Sequence, residues 1–67
     1  MNRKEFYQMI EDCSADLHSS GLSEDEIYGS IPDLADNILS DPEVKKYLEG
    51  EYIFDEIEQK EFIEGLL

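Results

Sequence analysis

Apolar residues recur along this chain at helical spacing. Phe6, Met9, Ile10, Cys13 and Leu17 fall three or four residues apart and so share one helix face, with Glu5, Glu11, Asp12 and Asp16 mostly elsewhere. Asn2 precedes this run and Glu5 follows it by three residues, the spacing of a reciprocal N-terminal capping box. The pattern predicts a helix from about residue 3 to about residue 19. Gly21 fits the left-handed position past its end, and Leu22 supplies the apolar contact that follows such a turn.

Ser23 and Glu26 repeat the capping signal. Glu24, Asp25 and Glu26 then occupy a first helical turn, where carboxylates face the positive end of the helix dipole. Ile27, Tyr28 and Ile31 give the apolar side. Pro32 interrupts the pattern, because proline inside a helix removes a hydrogen bond and clashes with the preceding turn. A new helix is therefore expected to start at Pro32, to carry Leu34, Ala35, Ile38 and Leu39, and to end near Ser40. Asp41-Pro42 reads as an N-cap followed by proline at the first helical position. Val44, Tyr47 and Leu48 form the inner side of that helix, and Gly50 ends it.

The last segment is less regular. Tyr52, Ile53, Phe54 and Ile57 do not share a narrow stripe with Phe62, Ile63, Leu66 and Leu67. Either the chain bends near Asp55, or one helix is covered on two sides. A helix from about residue 54 to about residue 65 is expected. An extended piece at Tyr52–Phe54 is the alternative, although a lone strand is unstable in water. The fold class that follows is all-α: one domain, a compact bundle of four to five short helices.

Charge changes the picture most. Eighteen Asp and Glu stand against five Lys and Arg, a formal net charge of −13 on 67 residues. Such a chain repels itself and repels nucleic acid, and it attracts basic protein surfaces. Disorder is opposed by the 40% apolar content. Cys13 is the only cysteine, so no internal disulfide forms, which favours a reducing compartment. The first residues, MNRKEFYQMIEDCSADL, contain no continuous apolar stretch of a signal peptide, and no apolar run approaches a membrane span. The expected location is the cytoplasm.

Catalytic chemistry finds little footing. Cys13 and His18 are the only thiol and imidazole, and five residues apart on one helix they point about 140° apart. Cys13 reads as a core residue, and His18 as a cation favoured by a helix C-terminus. Paired carboxylates are numerous, but a chain of this size has little interior in which to raise one carboxyl pKa. Calcium-loop spacing, a zinc-type Cys/His cluster and a glycine-rich phosphate loop are all absent. Neither an enzyme nor a cofactor is expected. Arg3-Lys4 and Lys45-Lys46 are too small as basic patches to neutralise a nucleic-acid backbone. Acyl carrier proteins share the size and acidity but need an Asp-Ser-Leu at a helix start, and no Asp-Ser occurs here. Colicin immunity proteins share the same bulk properties, but their Tyr-Tyr-Pro stretch is absent.

The remaining class is a protein-binding module. Carboxylates at i and i+4 on a helix are separated by about 6 Å of axial rise, close to the spacing of neighbouring phosphates on a strand. Glu51, Asp55 and Glu58 form such a ridge if the chain is helical through them, and Glu61 and Glu64 continue it. Glu24, Asp25 and Glu26 make a second cluster, joined by Asp33 and Asp36 on the helix after Pro32. The expected partner is a protein with a basic surface, such as part of a nucleic-acid-handling complex, inhibited by nucleic-acid mimicry. Direct nucleic-acid and membrane binding are not expected. Small phage proteins that block restriction, CRISPR or transcription machinery resemble this chain in size and charge. The competing expectation is a helical adaptor that binds through an apolar patch drawn from Tyr7, Tyr28, Tyr47, Tyr52 and the Phe62–Leu67 end, with the acids serving solubility.

Overall fold

The computed structural model describes residues 1–67 as four helices with no strand: α1 (Arg3–His18), α2 (Glu24–Leu39), α3 (Pro42–Glu51) and α4 (Glu56–Leu66). The helix starts follow local chemistry. Asn2 accepts from the Glu5 amide at 2.8 Å, and the Glu5 carboxylate in turn accepts from the Asn2 amide at 3.2 Å. Ser23 and Glu26 close the same box for α2. Asp41 accepts from the Glu43 amide, with Pro42 opening α3. Gly21 holds φ +80°, the left-handed turn between α1 and α2.

Two sequence expectations are corrected. Pro32 does not separate two helices: α2 runs through it, so the bundle has four helices. Pro32 and Tyr28, whose carbonyl loses its helical partner, are both exposed residues of α2. Ala35, Ile38 and Leu39 of the same helix are buried, and that apolar face holds the helix together across the missing bond. The second correction concerns residues 52–55. The chain is neither helical nor paired as a strand there. Tyr52 caps α3, Ile53 adopts φ +56°, and Asp55 caps α4, so α4 begins at Glu56.

The core draws on every helix. Phe6 and Ile10 from α1, Ala35, Ile38 and Leu39 from α2, Val44, Tyr47 and Leu48 from α3, and Ile63 from α4 form one buried cluster. Phe6 is its aromatic centre: its ring stacks on Tyr47 at 4.9 Å and on Phe62 at 6.1 Å between centroids. Tyr52, Phe54 and Phe62 extend the stack along the joint between α3 and α4. α2 packs most extensively against α4, and that contact sets the groove described below. No helix is long and apolar enough to cross a membrane.

Candidate functional site

The carboxylates face outward. Of the eighteen, only Glu64 is even half-buried. A single intramolecular ion pair exists, Lys60 Nζ to Asp36 at 3.1 Å, joining α4 to α2. The hydrogen bond that Lys60 donates to Asp36 holds its ammonium above the usual lysine range, with Asp36, Glu64 and Asp33 adding charge attraction. The other acids have no basic side chain within ion-pair distance. The ends of α2 and α3 also lack a basic residue in their last turns.

The expected acidic ridge is divided. Glu51 is the last residue of α3, whereas Asp55 and Glu58 belong to the start of α4. Asp55 accepts from the Glu58 amide at 2.8 Å, and Glu58 accepts from the Asp55 amide at 3.3 Å. Both carboxylates are thus engaged in a third capping box, a role their spacing also encodes. Glu51 lies instead beside Arg3, Lys46 and Tyr47 in a separate cleft. Glu24, Asp25 and Glu26 occupy the exposed first turn of α2, with Glu26 bound into the Ser23 cap. Asp33 and Asp36 share that helix, and do not sit on a following one.

Part of the predicted set does converge. Asp36 from α2 and Glu61 and Glu64 from α4 line one groove of about 620 Å³, together with Glu56 and Lys45. Ile57 lines it too and is 71% exposed. Gln59 belongs to the same wall. It is 1% exposed, and its Nε2 donates to the Phe54 carbonyl at 3.0 Å while its Oε1 has no donor. The sequence reading passed over Glu56 and Gln59. The available signal was the position of Gln59, one turn before Ile63 and therefore on the buried stripe of α4.

Tyr7, Tyr47 and Tyr52 gather around Phe6 and Phe62, without Tyr28. Tyr47 is buried in the core, its hydroxyl without a partner, and Tyr52 and Phe62 are half-buried around Phe6. Tyr7 rests its ring edge on Phe6 and shares a hydrogen bond with the Tyr52 hydroxyl at 3.3 Å, which together with burial raises its phenol pKa. Tyr28 stands apart, 68% exposed on α2. The exposed apolar side chains near the joint are Ile53, 85% exposed, and Ile57.

Cys13 is half-buried, and its pKa is raised by burial and by Asp16 and Asp12, which suppresses the thiolate. His18 ends α1 with Nε2 at 3.1 Å from the Leu67 oxygen. No group of three or more His, Cys, Asp or Glu is placed to hold a metal ion. The chain matches no family model, no curated protein and no solved structure.

Proposed function

We propose that this chain is a small acidic protein-binding module that occupies a basic, nucleic-acid-binding surface of a partner protein. One observation carries the reading: eighteen carboxylates are displayed on a folded helical surface, and one of them is neutralised by the chain's own lysines and arginines. Unpaired surface charge of one sign creates a field that steers oppositely charged partners and disfavours others. Association through such a surface is fast and falls as salt rises.

A second reading rests on Ile53 and Ile57. Two largely exposed isoleucines near one joint supply an apolar contact with an acidic rim, suited to an adaptor. Affinity capture from a lysate of the source organism, eluted with a sodium chloride gradient, separates the two. Under the mimicry reading the partner is a nucleic-acid-binding protein and leaves the column as the screening length shrinks toward about 3 Å near 1 M salt. The charge variants suited to this test are Glu24→Lys, Asp25→Lys, Glu51→Lys and Glu61→Lys, because these side chains make no hydrogen bond or ion pair in the fold. Their combination is expected to abolish capture while the helical spectrum is retained. Capture that resists salt but is lost in Ile53→Ser with Ile57→Ser favours the adaptor.

A further inference from the structure

The connector between α3 and α4 leaves a bulky apolar side chain in water at a strained backbone position. Tyr52 and Phe54 flank Ile53, and their rings stack on one another at 5.2 Å between centroids, within 10° of parallel. Both rings also pack on Phe62, at 5.0 and 5.2 Å. Asp55 then caps α4, and the buried Gln59 donates from Nε2 to the Phe54 carbonyl at 3.0 Å. The joint is thus pinned on both sides of Ile53, the one non-glycine residue with positive φ, whose side chain is the most exposed of the large apolar ones. Glycine or asparagine adopts that backbone conformation at less cost. Strain that packing does not recover is a pointer to function. Ile57, in the first turn of α4, is the next most exposed large apolar side chain.

We infer that Ile53 and Ile57 are the anchor on which the basic partner docks, and that the occupant is a protein surface whose apolar side chains are flanked by lysines or arginines; the inference rests on the proposed function and names its contact point. Charge selects the occupant. Glu51, Asp55, Glu56, Glu58 and Glu61 are all exposed in this stretch of chain. Two lysines come near: Lys60 is tied to Asp36, and Lys45 lines the groove that Ile57 borders, so the acids prevail. A second copy of this chain brings the same carboxylates against them, and like charges oppose that pairing. Interfaces commonly set a few apolar anchors inside a polar rim. Here the acids steer and orient, and the isoleucines supply area to be removed from water. Because the joint is already pinned, Ile53 is presented with little further ordering on binding. Tyr28, exposed beside Glu24–Glu26, lies on regular helix without a second such neighbour, and that cluster serves as the comparison.

The test is a nuclear magnetic resonance titration of the whole chain, methyl-labelled at its seven isoleucines, with an amphipathic helical peptide of leucine and lysine. Two control peptides carry glutamate for lysine and serine for leucine. The expected result is saturable shifts of the Ile53 and Ile57 methyls with the leucine–lysine peptide. The buried Ile10, Ile38 and Ile63 stay unmoved, which reports an intact fold, and Ile27 and Ile31 beyond Glu24–Glu26 shift less. Each control is expected to bind about tenfold more weakly, the scale of losing an anchor or its charged rim. Ile53→Ser with Ile57→Ser, both at exposed positions, is expected to weaken the leucine–lysine peptide by a similar factor, read from the backbone amides of residues 51–61. The inference is overturned if Ile27 and Ile31 shift as much as Ile53 and Ile57, if the leucine–glutamate peptide binds equally well, or if the Ile53 and Ile57 methyls shift on dilution alone, which makes a second copy the occupant. It is also overturned if the serine–lysine peptide or the double variant binds as tightly, and that outcome leaves the acidic surface standing as the binding face. Failure of both lysine peptides to bind removes the acidic surface as well, so the two claims fail separately.

Discussion

Ile53 is the residue under most local strain. A β-branched side chain at φ +56° crowds its own backbone, and the left-handed region costs a non-glycine residue about 1–2 kcal/mol. Its side chain recovers little of that through packing, being almost fully exposed. Ile53→Gly is therefore expected to stabilise the fold by about 1 kcal/mol in urea melts, after glycine's own entropic cost is subtracted. Phe6 is the opposite case, fully buried with rings stacked on two sides. Phe6→Ala is expected to cost about 3–5 kcal/mol, enough to unfold much of a domain of this size, as read by loss of the helical circular-dichroism signal. Both roles bear on what a sequence reveals. Phe6 and Ile10 were legible as core because they sit on an unbroken period. Ile53 and Ile57 read equally apolar, but the joint beside them resets the helical phase, so periodicity did not tell their exposed positions from buried ones.

Among the elements, α2 shows how a strong local signal is overridden. Proline deep in a helix is disfavoured by about 3 kcal/mol, which argued for a break at Pro32. The apolar face running from Ile27 and Ile31 to Ala35, Ile38 and Leu39 crosses that position and packs on α4 and α3. Tertiary burial outweighs one lost bond. Pro32→Ala restores the amide that bonds the Tyr28 carbonyl, and it is expected to raise stability by about 1–3 kcal/mol in thermal or urea unfolding. The starts of α1, α2 and α3 were readable because a capping box or an Asp-Pro pair is a short-range device. The start of α4, expected near residue 54, falls at Glu56, and its capping box was overlooked for a related reason. Asp and Glu serve both as surface charge and as caps, and in so acidic a chain Asp55 and Glu58 were counted as the former.

For the molecule as a whole, charge and fold oppose each other. A net charge of −13 on an accessible surface of 4580 Å² produces self-repulsion that screening relieves. Raising sodium chloride from about 0.01 M to about 0.15 M shortens the screening length from about 30 Å to about 8 Å, from longer than most of the molecule to a fraction of it. The melting temperature is expected to rise over that range; each 1 kcal/mol of relieved repulsion corresponds to roughly 4–8 °C for a domain this small. A melting point that falls instead would mean that the caps and the Lys60–Asp36 pair dominate the electrostatics. The excess of acid was plain from composition. The groove was not, because it exists only where α2 meets α4, bringing Asp36 to Lys60 across 24 positions of sequence.

The undefended ends of α2 and α3 add a quieter consequence. Their last carbonyls carry the negative pole of the backbone, and no lysine or arginine in the final turns offsets it. Part of the molecule's pull on cations is thus written into its peptide groups. A version with thirteen of the eighteen carboxylates recast as amides would be formally neutral, yet would still orient positive ions toward those helix tails.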